Sequence, residues 1–399
     1  EEIYSADEIK RILFSGINSF PNFESACRYC VGNFRNHTDE IYSKLNQKYR
    51  EIYTSNLPKD DPVRKEAVAK STALNNLVKN DGVKLLRNYF KKLQLGPLNT
   101  YKLFIANLGS YTSELTDTEL LKLQKSTLQT LKKRKVTFED LPSLLHVNNL
   151  LCGCNQKYNH IVIDEAQDYG LFHFDALKET FPSSTFSIYG DLAQSIYSYR
   201  GIKDWESVAS EIFGNNCSIL NLNKSYRTTI EITNNANKVL RQMDLTEAEP
   251  VIRHGGEISF EDFAKSDDYK IAKINDWLNK GYQTIAVICK TDKEAENTYN
   301  SLSKYGIGIT HIKANDVDYN GGVFVLTSAL SKGLEFDAVI INDASNKVYD
   351  ENNMDDMHLL YVAETRALHE LDVLYDKTLC PVFSNERTMD KPKVLVRKK

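Results

Sequence analysis

Two adjacent acids close a short apolar run, Ile161-Val162-Ile163-Asp164-Glu165-Ala166-Gln167-Asp168. Carboxylates at the end of a buried strand are costly unless they meet a cation or have a proton to move. In a nucleotide motor, Asp164 would hold Mg²⁺ through its water shell, and Glu165 would orient and deprotonate an attacking water. Structural acids capping a following helix would show the same letters. Four further segments stand in fixed order behind this one. Tyr189 to Gly201 joins a glycine-acid turn to Gln194, Tyr197, Tyr199 and Arg200. Asn223-Lys224-Ser225-Tyr226-Arg227-Thr228-Thr229 comes next, then Leu326 to Asp337 with Thr327, Gly333 and Glu335. The last is Leu359-Leu360-Tyr361-Val362-Ala363-Glu364-Thr365-Arg366-Ala367.

Over roughly residues 158–375, these five segments together resemble the UvrD/Rep family of superfamily 1 helicases. The resemblance implies two RecA-like domains with ATP in the cleft between them. It matches Asp164 to the Mg²⁺ acid and Glu165 to the water-activating acid. Gln194 matches the glutamine that senses the γ-phosphate and links it to the nucleic-acid site. Tyr226 would stack on the adenine, Arg227 would reach the γ-phosphate, and Arg366 matches the second arginine finger. Glu335 beside Gly333 matches the ribose-binding acid. Tyr197, Tyr199, Arg200 and Thr327 fall where such motors meet single-stranded nucleic acid. Each residue also has a plainer reading: the arginines as surface ion-pair partners, the tyrosines as core.

Three departures qualify the resemblance. Tyr199 stands where DNA translocases commonly carry tryptophan, and Ala329 where they usually carry histidine. No Gly-x-x-x-x-Gly-Lys-Ser/Thr occurs in the chain. The sequence is therefore expected to start after that loop, and the alternative is a degenerate, non-hydrolysing binding protein. The opening Tyr4 to Ile12 and Phe138-Glu139-Asp140-Leu141-Pro142 also look like the HelD branch, in which a helical domain interrupts the first RecA-like domain. That similarity implies an RNA polymerase-binding recycling factor as the alternative to a DNA translocase. The partners implied are single-stranded DNA or a nucleoprotein complex, RNA polymerase in the second case, and no membrane.

The elements that would position these residues change character near residue 158. Before it the chain reads as helical. Ile3, Ile9, Ile12 and Leu13 recur at near-helical spacing, a helix is expected from about Asp39 to Thr54, and Thr116-Asp117-Thr118-Glu119 has capping-box spacing. Asn56 to Asp61 reads as a loop. After it, short β-branched runs at 160–163, 185–191, 284–289, 322–327 and 338–341 alternate with helical patterns at 175–180 and 229–240. Alternation of this kind predicts parallel sheets with helical crossovers. The expected fold class is α/β: RecA-like P-loop NTPase sheets, the first incomplete, with a mainly helical N-terminal insertion. The expected divisions are 1–140 for the insertion, 141–248 for the rest of the first RecA-like domain and 249–399 for the second. A hinge is expected at Glu247 to Gly256, where Pro250, Gly255 and Gly256 break the pattern.

Bulk composition is compatible with this picture. The chain has 399 residues, 41% hydrophobic and 26% charged, and a net charge of −4. Residues 1–150 carry +6 and the remainder −10, which excludes a generally basic, nucleic-acid-coating protein. Seven cysteines, an odd number in a long chain, suit a reducing cytoplasm rather than a disulfide framework. Cys27/Cys30 with Cys152/Cys154 would make a zinc site only as the lesser reading, against ordinary free thiols.

Overall fold

The computed structural model describes residues 19–93, 95–251, 253–314 and 321–384, together with Asp7, Lys10 and Arg11. The apolar positions Ile3, Ile9, Ile12 and Leu13, and most of the opening that resembles the HelD branch, lie outside the described residues. The chain forms two compact units, Glu1–Ile161 with Phe172–Phe186, and Val162–Leu171 with Ser187–Lys399.

The first unit is helical: α1 (Phe23–Tyr53), α2 (Pro62–Asn75), α3 (Gly82–Leu93), α4 (Pro97–Ala106), α5 (Asp117–Lys132), α6 (Leu141–Leu151) and most of α7 (Leu171–Thr180). Asn22 caps α1 by accepting from the Ser25 amide at 2.9 Å. This helix begins well before Asp39, where the sequence pattern starts it. Its early buried positions are Ala26, Cys30, Phe34 and Thr38, a stripe at i, i+4 spacing whose small and polar members hide it from an apolar count. The capping box at Thr116 is present: Thr116 Oγ1 accepts from the Glu119 amide at 3.4 Å, and Glu119 Oε2 accepts from the Thr116 amide at 3.0 Å. Residues 56–61 form the non-helical link between α1 and α2. One core cluster joins Cys30 and Phe34 to Val83, Leu86 and Phe90, and another joins Tyr101, Ile105 and Leu131.

Strands β1 (His160–Ile163) and β2 (Thr185–Ile188) pair with each other, and the division between units falls within both. The second unit continues with β3 (Lys224–Ser225), α8 (Ile230–Gln242), β4 (Glu249–Pro250), β5 (Ser259–Glu261), α9 (Asp267–Asn279), β6 (Thr284–Cys289) and α10 (Asp292–Leu302). It ends with β7 (Ile309–His311), β8 (Gly322–Thr327), the short helix α11 (Ser328–Ser331), β9 (Phe336–Ile341), α12 (Met354–Glu364) and β10 (Ala367–Leu374). Six of these strands form an all-parallel sheet in the order β5-β10-β9-β6-β8-β7. This is the parallel α/β build that the RecA-like expectation requires.

Both faces of the sheet are covered, so β6, β8 and β9 are apolar almost throughout. Ala286, Ile288, Phe324, Leu326, Val339 and Ile341 face α8 and α12, while Ile285, Val287, Val323, Val325, Ala338 and Ile340 face α9 and α10. Helix α8 packs in the same core as strands that follow residue 256. In the intervening stretch 247–256, β4 pairs with β3, and a Cβ on Gly255 would lie 2.5 Å from Thr229 Cγ2 and 2.8 Å from the His369 carbonyl. The glycine there permits a close approach of backbone to its neighbours.

Candidate nucleotide site

Every sequence-predicted site residue lies in the second unit, and four of them, Asp164, Glu165, Gln194 and Arg366, join one polar network. At the end of β1, Glu165 adopts the left-handed region with φ of 52°, a conformation uncommon outside glycine and one that concentrates at functional sites. Its amide donates to Asp164 Oδ1 at 2.9 Å. Its Oε2 accepts from the fully buried Gln167 Nε2 at 2.6 Å and meets Lys332 Nζ at 3.3 Å. Gln167 Oε1 in turn accepts from the Asp191 amide at 3.1 Å, joining the paired acids to the glycine-acid turn. That turn has no room for a side chain at Gly190, where a Cβ would sit 2.6 Å from Gln167 Oε1 and 2.9 Å from the Trp205 ring.

Gln194 stands at the centre. Its Nε2 donates to Asp191 Oδ2 at 2.9 Å, and its Oε1 accepts from Arg366 Nη2 at 3.0 Å. Arg366 is almost wholly buried, and its guanidinium also donates to the Val362 and Leu334 carbonyls at 3.1 and 3.2 Å. Burial and the nearby Arg227 both disfavour its charge, lowering its pKa, while Glu165 and Glu335 oppose them. Arg227 Nε pairs with Glu335 Oε1 at 2.8 Å, both side chains about half exposed. Gly333, two residues before that acid, has φ of 79°. Tyr226 is exposed beside Arg227.

Lys332 lies within the Leu326–Asp337 segment, and the resemblance implies no role for it. Its Nζ lies 2.7 Å from Asp168 Oδ2 and donates to the Gln194 carbonyl at 3.0 Å, with only 9% of the side chain exposed. His358 Nδ1, likewise unanticipated, is 2.8 Å from the Ala193 carbonyl. A lysine beside a glycine is an ordinary pair in a sequence, and only tertiary contact shows two other segments, at 161–168 and 189–201, converging on this one.

The residues matched to nucleic acid fall into two groups. Arg200 lies over the Tyr197 ring at 4.0 Å, and Tyr197 and Tyr199 meet edge to face at 6.3 Å. Tyr199 is 75% exposed, and Arg200 lies over its ring as well, at 5.8 Å. Thr327 is buried at the end of β8, where its hydroxyl accepts from the Leu330 amide at 3.3 Å and caps α11. All seven cysteines are free thiols, and among the described residues no three His, Cys, Asp or Glu side chains gather as a metal cage. No described helix is long and apolar enough to cross a membrane.

Residues 20–204 match the UvrD/REP helicase N-terminal domain, and residues 322–374 match the UvrD-like helicase C-terminal domain. A probable DNA helicase II homolog of Mycoplasma capricolum subsp. capricolum is 26% identical over 176 residues, covering 41% of this chain and 24% of that protein. The chain thus spans about a quarter of the length of that curated relative. The C-terminal domain of a possible DNA helicase from Lactobacillus plantarum WCFS1 is 30% identical, covering 40% of this chain and 92% of that one, with a TM-score of 0.34. The PRRSV helicase is 13% identical over 54% of this chain and 34% of its own, with a TM-score of 0.32. The first family match contains the paired acids and Gln194, and the second contains Glu335 and Arg366, in the order in which the network joins them. The chain belongs to the UvrD-like superfamily of helicases.

Proposed function

We propose that the chain is part of an ATP-dependent superfamily 1 motor that couples hydrolysis to movement on DNA or to remodelling of nucleoprotein complexes. The supporting observation is the network itself. Glu165, Gln167, Asp191, Gln194 and Arg366 are linked by successive hydrogen bonds, with Lys332 bridging Glu165, Asp168 and the Gln194 carbonyl. Side chains so linked across distant segments respond together when one is displaced.

The residues present fit ATP and Mg²⁺ on the γ-phosphate side. Mg²⁺ keeps most of its waters and commonly takes one or two carboxylates, which suits the exposed Asp164 better than a protein cage. ATP supplies the transferable phosphoryl group. Arg227 and Arg366 supply cationic charge for its oxygens, Gln194 orients Arg366, and Tyr226 offers a face to the base. Glu165 Oε2 is occupied by Gln167 and Lys332, leaving Oε1 as the atom to take a water proton. The sequence contains no Gly-x-x-x-x-Gly-Lys-Ser/Thr, so the phosphate-cradling role falls to none of the residues named.

The test is Mg²⁺-dependent hydrolysis by the full-length protein carrying Arg366→Ala. An arginine of this role is worth about 10³–10⁵ in rate, so turnover is expected to fall to near background. Undiminished turnover rejects the assignment. A second reading, a HelD-type polymerase-binding recycling factor with little unwinding activity, is favoured by Tyr199 and Ala329, which depart from the residues common in DNA translocases. Hydrolysis stimulated by single-stranded DNA and lost at high salt supports the translocase. Co-purification with core RNA polymerase and no DNA stimulation supports the recycling factor.

A further inference from the structure

Glu364 ends α12 two residues before Arg366, and its side chain is fully buried. Its Oε2 accepts from Asn235 Nδ2 at 2.7 Å, and Asn235 is itself 96% buried in α8. Its Oε1 is buried with no hydrogen-bond partner. The surroundings are apolar, with Ile232, Ala236, Val239, Leu360 and Ala363 in one core cluster. An unpaired acid in such a place is expensive, and an aliphatic residue would fill it without that cost.

The placement suggests what the acid does there. Helix α8 begins directly after the Tyr226-Arg227 segment, capped by Thr229. Helix α12 ends directly before Arg366. We propose that Glu364 is a positioning residue whose buried hydrogen bond to Asn235 clamps the Arg366 end of α12 to the helix that follows Arg227. Nothing in the family matches assigns it this role, and its meaning for turnover rests on reading the two arginines as phosphate-directed.

The clamp works with the acid neutral. Burial pushes the Glu364 carboxyl up to about 8 from its ordinary 4.5, opposed only by the Asn235 bond and Lys238. The other titratable groups that feel its charge are Tyr361 on α12 and Cys380 beyond β10. A folded-state value above the unfolded one means that the native state holds more protons between those pH values. Stability therefore falls as pH rises from about 4.5 to about 8, and the penalty is constant above that.

Glutamine keeps an acceptor for Asn235 and has no proton to lose. In the 399-residue chain, Glu364→Gln is expected to gain Tm over the wild type progressively between about pH 5 and pH 8. The infrared band of a protonated carboxylic acid, present in the wild type at neutral pH, is expected to vanish in this variant. Asn235→Ala leaves the acceptor stranded and should speed hydrogen exchange of the 362–366 amides about ten- to a hundredfold, because a buried group loses its partner. Glu364→Leu should do the same, and Glu364→Gln should not. The clamp is overturned by a Tm difference independent of pH, by an absent acid band, or by unchanged exchange in Asn235→Ala. Retained hydrolysis in Arg366→Ala would instead overturn the phosphate role of the arginine and leave the clamp standing.

Discussion

Lys332 shows how one side chain fixes the geometry of several motifs. Its ammonium faces Asp168, Glu165 and a carbonyl of the Gln194 turn while nearly withdrawn from water. Removing the cation strands Asp168, whose Oδ1 is already buried without a partner. Because Glu165 is half exposed and partly screened, Lys332→Met is expected to cost about 2 kcal/mol rather than the full cost of breaking a buried pair. Urea unfolding of the two proteins checks this, and an unchanged midpoint means that solvent already satisfies the acids. The paired acids, Gln194, Arg227, Glu335 and Arg366 stand out in the sequence as candidates because each sits in a distinctive string. Lys332, Gln167 and His358 do not, because their partners lie in other strings.

Among the elements, two glycines serve different physical ends. Gly333 has φ of 79° with nothing within 4 Å of an added Cβ, so its requirement is purely conformational. Gly333→Ala is expected to cost about 1 kcal/mol, with Gly333→Asn milder because asparagine tolerates the left-handed region. Gly201 is constrained by space: a Cβ there would lie 2.4 Å from the Gln167 carbonyl and 2.9 Å from Ser195 Oγ. Gly201→Ala is expected to exceed Gly333→Ala in cost, and thermal melts giving the reverse order would show that the turn yields easily. Strands β6 and β8 were placed from sequence to the residue, since a run buried on both faces stays β-branched and apolar throughout. The early half of α1 escaped notice because Ala26, Cys30 and Thr38 occupy its inward stripe. The two-residue strands β3 and β4 carry no pattern at all.

For the whole molecule, the 399-residue chain assayed alone is expected to show negligible ATPase activity. Its sequence contains no Gly-x-x-x-x-Gly-Lys-Ser/Thr to cradle phosphates. A robust Mg²⁺-dependent rate would reveal a phosphate site built from other residues. The sequence by itself determined the parallel α/β class and the identity and order of the five chemical segments, because strand composition and motif spelling are local properties. Only the tertiary structure decided that four of those segments form one hydrogen-bonded network through Gln194 and Lys332, with the fifth reached by the Arg227–Glu335 ion pair, that Thr327 is a buried cap, and that α8 shares a core with the strands beyond residue 256. It also decided that Glu364 is buried against Asn235, 129 positions away. Contacts over such separations depend on how helices pack across a sheet, which a single sequence does not spell out.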